Sequence, residues 1–395
     1  MIELLMSCCI IISFNFATLD SIGRSDLEAV LTAMLETIFS HRSAEPGSAS
    51  CQETVHIFLD AAKFSEAREG CTGNSMSFED FRTWCTLLPS VRKFLGSLLM
   101  PSDPEQKLAH GHQSIEFNEK IEEIFTKPFC LACGSGSQVP RLLHPENIDS
   151  SVLLLREEYA WHIGGALSQL ELDDWKLLYH SAVNGLSFNT FLGNISWTSY
   201  FHAAYVKCRY LRLSISPYYP HCSFPIECIT KCRNDDGPTL LIIKDKEGYI
   251  YGGYASQPWQ RHADFYGDMK SFLFQLYPQA SIFRPTGANS NLQWCAVNFS
   301  SESIPNGIGF GGRINHFGMF LSANFDQGHT FSCITFGSPC MSKANQIYPE
   351  VIECWGVVPK GAQQERKNGV KGTVLERFKE DRNMLNMVGL ANSSQ

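Results

Sequence analysis

Clustered basic charge is what this sequence most conspicuously lacks. Its Lys and Arg number 32 against 40 Asp and Glu, for a formal net charge of −8 and a pI near 5.9. Surfaces that neutralise phosphates or coat anionic membranes need dense Lys and Arg, so nucleic acid is excluded as a main ligand. No apolar run is long enough to make a transmembrane segment. The richest one, Leu4 to Phe16, falls short of the roughly 20 residues a bilayer requires. It also lacks the basic start and small-residue cleavage site of a secretory signal, its only early charge being Glu3, and it reads as a buried or aberrant N-terminal segment. Gly-x-Ser-x-Gly is missing, which removes the nucleophile elbow of a hydrolase. Cys130 and Cys133 have His144 nearby but no second pair at a spacing that closes a tetrahedral zinc site, so they read as two thiols in a loop.

What the chain does have is enough apolar mass for two or three domains, with 395 residues, 44% of them hydrophobic and 12% aromatic. Its 15 cysteines are odd in number and irregularly scattered, the usage of reduced thiols in a cytosolic or nuclear compartment rather than of a disulfide scaffold. Three Asn-x-Ser matches at Asn194, Asn298 and Asn392 are short enough to arise by chance.

The first hundred residues read as helical. Leu27, Val30, Leu31, Met34, Leu35 and Ile38 recur at three- and four-residue steps and predict an amphipathic helix over 26–39. A Ser, Pro and Gly cluster at 43–50 precedes a second helix carrying Val55, Phe58, Leu59 and Ala62. A third is expected over 77–88, closed by Pro89. The stretches before Asp26 and Asp80 are similar to the exit halves of two EF-hands, but the calcium chemistry is depleted. With Asp80 as the bidentate carboxylate, Glu69, Cys71 and Gly73 fall where oxygen ligands belong and Asn74 replaces the turn glycine. The first loop places Leu19 at a ligand position. Asp26, Glu69 and Asp80 are thus weak calcium candidates in a pair whose role is structural, and no metal or cofactor is expected.

Further helices are expected near 116–126, 151–163, 171–182 and 265–276, with 101–115 and 134–150 as linkers. From residue 237 short apolar runs bounded by Gly, Pro and Asn predict strands at 239–244, 249–254, 280–284, 292–299, 317–324, 331–336 and 351–357. The first two flank Asp245-Lys-Glu-Gly248, a hairpin connection. Helices and strands are segregated rather than alternating, so the fold class is α+β rather than a parallel sheet.

Within this β region, ordered fragments carry a family resemblance. They are Gly237-Pro-Thr-Leu-Leu-Ile-Ile, Tyr251-Gly-Gly-Tyr-Ala, Phe265-Tyr-Gly-Asp, Ser271-Phe-Leu-Phe, Arg284-Pro-Thr-Gly, Ile304-Pro-Asn-Gly-Ile-Gly-Phe-Gly-Gly, His316-Phe-Gly-Met-Phe, Gly328-His and Glu353-Cys-Trp-Gly-Val. Together they resemble a TLDc domain. The residues carried over by the resemblance are Gly252, Gly253, Phe265, Gly267, Phe272, Pro285, Thr286, Gly287, Pro305, Asn306, Gly307, Gly309, Gly311, Gly312, Phe317, Gly318, Gly328 and Trp355. Trp175-Lys-Leu-Leu-Tyr through Gly185-Leu-Ser-Phe-Asn-Thr-Phe look like the domain's helical opening. The expected layout is an EF-hand-like helical domain over 1–100, a linker with a short helix over 101–150, a TLDc β-sandwich with flanking helices over 151–358, and a basic tail over 359–395. An apolar, Cys-bearing stretch at 197–236 interrupts the domain and reads as a retained intron or misjoined exon.

With helices in front, the arrangement looks like the mTOR-associated TLDc proteins, a subgroup that commonly begins Met-Gly. Ile2 lacks the glycine that N-myristoylation requires. The resemblance implies a non-enzymatic adaptor that binds subunits of the vacuolar-type proton ATPase and serves mTOR signalling or oxidative-stress resistance. It also implies a cytoplasmic protein recruited to lysosomal or vacuolar membranes, with a nuclear pool. An enzyme of oxidative-stress defence is the competing reading, and a calcium-responsive protein the third.

Two other patterns carry candidate chemistry. Gly307-Ile-Gly-Phe-Gly-Gly312 has dinucleotide-site spacing but no helix after it, and is expected to be a turn with close backbone approach. Cys295, His316, His329 and Glu353 supply the residue types of a nucleophile, base and orienting carboxylate without any motif that assembles them, so no catalytic residue is assigned. The tail is expected to form a helix over 373–388, either a cap on the domain or a helix-in-groove ligand, and in the second case Leu375, Phe378, Arg382 and Leu385 are the partner-binding candidates.

Overall fold

In α1 (Arg24–Phe39) the expected apolar stripe is buried, from Leu27 to Ile38. α1 is entered through a three-residue strand, β1 (Ser21–Gly23), and is followed by α2 (Ala49–Asp60). A second short strand, β2 (Ser75–Ser77), enters α3 (Phe78–Leu87) in the same way. β1 and β2 pair antiparallel with Ile22 opposite Met76, both buried, so the two helix-entering turns are joined back to back. α3 ends at Leu87 with Leu88 as its C-cap, so the helix closes before Pro89 as expected. Pro89 is the first residue of α4 (Pro89–Leu99), a position where its missing N–H costs nothing.

The computed structural model describes residues 11–12, 15–16, 21–39, 49–65, 75–99, 136–195 and 237–358. The expected helices at 116–126 and 373–388, Glu69, Cys130, Cys133, the 197–236 stretch and the tail candidates Leu375, Phe378, Arg382 and Leu385 lie outside them.

After residue 136 come β3 (Arg141–Leu143), a 3-10 turn at Ser150–Val152, α5 (Glu157–Gly164) and a second 3-10 turn at Gln169–Glu171. The helix expected over 151–163 therefore begins only at Glu157. The helix expected over 171–182 is instead a strand, β4 (Asp174–His180), followed by the short α6 (Ser181–Asn184) and α7 (Phe188–Ile195). Beyond residue 237 lie β5 (Thr239–Asp245), β6 (Ile250–Ala255), β7 (Phe272–Tyr277), β8 (Ser281–Phe283), β9 (Gln293–Ala296), β10 (Gly307–Phe310), β11 (Met319–Ser322), β12 (Gly328–His329), β13 (Gln346–Ile347) and β14 (Pro349–Val358). The helix expected over 265–276 is a loop running into β7, and 331–336 is a turn region rather than a strand.

The strands form two larger sheets: seven strands in the order β3-β4-β14-β5-β6-β7-β8, and five in the order β13-β12-β11-β10-β9. The fold is α+β. Alternation along β5 shows how the layers are built, since successive side chains of a strand point to opposite faces. Leu241 and Ile243 pack inward with Tyr251, Leu273, Cys295, Ile308, Phe310 and Leu321, filling the space between the two sheets. Leu240 and Ile242 point the other way and share a core with Leu27, Phe58, Trp84 and Trp161 of the helices and with Tyr254, Phe272 and Trp355 of the sheet. The helical layer thus covers the outer face of the seven-stranded sheet with one continuous core. Val139 and Ile148, from the stretch expected to be a linker, are buried in that same core.

Polar contacts lock the layers where apolar packing alone leaves their register open. Ala280 N–H donates to Ile57 C=O (3.2 Å), Arg284 Nη2 to Ala166 C=O (2.6 Å), and the Tyr254 hydroxyl to Glu171. At the β5–β6 hairpin the buried Asp245 carboxylate accepts from the Glu247 and Tyr249 amides, both at 3.0 Å, and Gly248 takes a positive φ of 86°. Among the described residues no helix is long and apolar enough to cross a membrane.

Candidate functional site

Glu353 sits in β14 between His180 of β4 and Ile242 of β5, on the sheet face that the helical layer covers. Its side chain is 0% exposed. One carboxylate oxygen accepts from the Leu154 amide at 2.6 Å, and the other from the Leu155 amide at 3.2 Å and the Trp355 indole N–H at 2.9 Å. Three donors from two layers converge on one buried acid. Burial pushes the Glu353 carboxyl up from its ordinary value, and these hydrogen bonds with the neighbouring imidazole only partly offset the cost. His180 Nδ1 accepts from the Ala182 amide at 3.2 Å, which leaves the ring proton on Nε2, 3.6 Å from Glu353. This cluster fastens the segment before α5 onto the sheet.

The glycines of the resemblance sit at close approaches. A methyl built on Gly252 would overlap the Leu241 carbonyl oxygen across the β5–β6 pair and meet the Phe274 ring at 2.6 Å. One on Gly307 would overlap the Leu321 carbonyl oxygen. The expected turn at Gly307–Gly312 is in part a strand: Gly307–Phe310 is β10, paired with β9 on one side and β11 on the other, and only Gly311 and Gly312 turn the chain. No helix follows to cradle a pyrophosphate, since β10 runs through this turn into the β11 hairpin. Gly253 faces Phe310, Gly309 faces Met319 and Phe317, Gly318 faces Cys333, and Gly328 faces Phe320.

The remaining motif residues hold loops. Asn306 clamps the 299 backbone, accepting from Phe299 N–H at 2.9 Å and donating to its carbonyl at 2.8 Å. Pro305 C=O receives the Trp294 indole at 3.0 Å. Thr286 bonds the backbone of Ile334 and Thr335, and positive-φ Gly287 follows it. Phe272 stacks on Tyr254 at 5.0 Å. On the outer face of the five-stranded sheet, Phe265, Trp294, Phe317 and Phe320 form a separate aromatic cluster, with Gly267 at a positive φ behind Phe265.

Cys295, His316, His329 and Glu353 are dispersed. Cys295 points between the sheets, where burial pushes its thiol up to about 12. His316 and His329 both lie against Phe331, and His329 also against Phe317 and Phe320, on the opposite face of that sheet. Glu353 belongs to the other sheet. Trp294 and Ala296 face outward and Cys295 inward, so strand alternation alone separates the thiol from the imidazoles.

Asp26 and Asp80 are likewise engaged. The Asp26 carboxylate accepts from Asn15 at 3.3 Å, while Asp80 accepts the Ser77 hydroxyl at 2.6 Å and gives its amide to the same Ser77, which caps α3. Among the described residues no three His, Cys, Asp or Glu side chains converge as metal ligands. Sequence reasoning missed the Leu154 and Leu155 amides, whose partner lies 199 and 198 positions away in the chain, and His180, which meets the same partner only across the β4–β14 pair.

Against this geometry, a model of the TLDc domain matches residues 227–358. Residues 227–358 are a TLDc domain. The match begins inside the stretch expected to be an insert, and β3 and β4 extend the domain's seven-stranded sheet well ahead of it. The mTOR-associated protein MEAK7 of Danio rerio is 35% identical over 164 residues, 40% of this chain and 35% of that protein. Its Xenopus laevis counterpart is 29% identical over 248 residues, 62% of this chain and 45% of that protein. Oxidation resistance protein 1 of Rattus norvegicus is 32% identical over 120 residues, 30% of this chain and 13% of that protein. The chain therefore spans less than half the length of the curated relatives it matches.

Proposed function

We propose that this TLDc protein is a non-enzymatic adaptor that binds subunits of the vacuolar-type proton ATPase and links them to mTOR signalling at lysosomal or vacuolar membranes. The observation that carries the reading is the 248-residue alignment with an mTOR-associated relative, which is longer than the TLDc match itself. Dispersal of Cys295, His316, His329 and Glu353 favours an adaptor over an oxidative-defence enzyme. So do the thiols of Cys85, Cys295 and Cys354, which burial pushes up, opposite to what a reactive thiolate needs. The helical layer is read as an EF-hand-like pair whose carboxylates Asp26 and Asp80 accept hydrogen bonds from Asn15 and Ser77, serving as a wall of the domain rather than as a calcium sensor. The partner segment is the tail, through Leu375, Phe378, Arg382 and Leu385.

The test is a pull-down from cell lysate with the full chain, followed by mass spectrometry. Proton-ATPase subunits are expected with the wild type, and Leu375→Asp with Phe378→Asp should lower their recovery about tenfold or more, as loss of two apolar anchors does. Recovery of no subunit by the wild-type chain would sink the adaptor reading.

A further inference from the structure

In the last turn of α5 stands His162, a titratable side chain that the adaptor reading does not use. It is 0% exposed, and among the described residues neither ring nitrogen has a hydrogen-bond partner. Its ring lies against Phe58 of α2, the centroids 5.4 Å apart and the planes tilted by 50°. Trp161 beside it meets the same Phe58, and its chain neighbours Ala160, Trp161 and Ile163 all belong to the core that joins the helices to the seven-stranded sheet.

A neutral imidazole carries one N–H and one lone pair, and an imidazolium carries two N–H groups and a charge. Enclosed here, the neutral ring forgoes its hydrogen bonds, while the cation would add an unpaired buried charge, a far larger cost. A carboxylate turned to the ring would reverse that balance, but the acids of the surrounding elements are committed elsewhere. From α2, Glu53 pairs with Arg156 at 2.7 Å and Asp60 with Arg24 at 3.1 Å, and His56 is exposed. On α5 itself Glu158 accepts the Ser50 hydroxyl at 2.8 Å, and Glu157 lies in the first turn. Glu171 accepts from Tyr254 and Ser168, and Glu353 from Leu154, Leu155 and Trp355 beside His180. α4 brings Arg92 and Lys93, whose positive charges oppose a second cation. Burial accordingly pulls the His162 ring down from 6.5 to about 3.

Residues 153–164 are thus held at one end by Glu353, through the Leu154 and Leu155 amides, and at the other by an imidazole that stays in the core only while neutral. We infer that this segment is an acid-sensitive strap: the His162 ring takes up a proton only when the strap leaves the core, so acidification favours its release. An imidazole held below its unfolded value contributes stability that is complete above that value and is lost as pH falls through it. Glu353, held above its ordinary range, acts in the opposite sense at the other end, so the effect of His162 is read by comparing variants at that position. The inference stands apart from the adaptor reading.

Urea unfolding of the full chain at about pH 7.5 and about pH 5 tests it, with wild type set against His162→Leu and His162→Gln. On acidification the folding equilibrium constant of wild type should fall about thirtyfold further than that of either variant. His56→Gln, at an exposed position of α2, should keep the wild-type profile. In ring carbon–proton NMR spectra the His162 signal, assigned by its loss in either variant, should stay fixed over this range while exposed histidines titrate. If His162→Leu fails to fold, His162→Gln decides. A His162 signal that titrates in the ordinary imidazole range of the folded protein, or parallel stability profiles for wild type and the folded variant, overturns the inference.

Discussion

Replacing Glu353 with leucine is expected to lower folding stability by about 3 kcal/mol or more, because it strands three buried donors at once. Each orphaned donor costs roughly 1–3 kcal/mol, partly relieved by removal of the buried acid. The Leu154 and Leu155 amides and the Trp355 indole all converge on a carboxylate whose residue is 0% exposed. Glu353→Gln keeps an acceptor oxygen in place and should cost only about 1 kcal/mol. Urea unfolding of the three proteins measures the difference.

The same residue carries a pH signature. Burial raises the Glu353 carboxyl in the folded state, so the native protein binds that proton more tightly than the unfolded chain does. Its contribution to stability is full below the unfolded carboxylate range and is lost as pH rises through the raised folded value. Wild type should therefore lose more stability than Glu353→Gln as pH rises above the ordinary carboxylate range. Parallel curves for the two proteins would show that the acid is not held above its ordinary range.

Gly252→Ala is the second large effect, expected to cost about 3 kcal/mol. The obstruction is the Leu241 carbonyl of the neighbouring strand and the buried Phe274 ring, neither of which can withdraw without opening the β5–β6 register. Gly287→Ala makes the contrast. Nothing lies within 4 Å of its added methyl, and only a positive φ of 83° stands against it, so about 1 kcal/mol is expected. Chemical denaturation separates the two; equal costs would mean that the motif glycines serve backbone freedom rather than close approach.

How far the fold was legible depended on whether one period ran unbroken. α1 was readable because its stripe from Leu27 to Ile38 faces a single core. β4 was not. A register shift between Cys354 and Trp355 of its partner strand interrupts the alternation, sending Trp175 and Leu177 to the helical layer but Tyr179 between the sheets. The resulting cluster of apolar residues mimics a helix. The 265–276 stretch misled in a similar way, with Phe265, Met269, Phe272 and Leu276 at helical spacing. Gly267 at a φ of 108° and Asp268, which accepts from Ser256, Gln257 and Lys270, hold that chain in a loop. β10 was hidden by its glycines, which vacate the space occupied by Phe320.

The candidate site was legible in its residue types and not in its grouping. Glu353 stands out in the sequence as an orienting carboxylate, yet it lies on a different sheet from Cys295, His316 and His329 and gathers amides that are fixed only once the 153–155 segment has folded across the sheet. His180 carries no local signal of its pairing with Glu353.

Hydrogen exchange under increasing urea most directly tests the claim that the helical layer and the TLDc sandwich are one cooperative unit. Core amides of α1 and α3 are expected to open with the same free energy as those of β5 and β14, and Glu353→Leu should lower all of them together. Opening of α1 and α3 at a lower free energy, with the sandwich still protected and Glu353→Leu acting on one layer alone, would contradict the account.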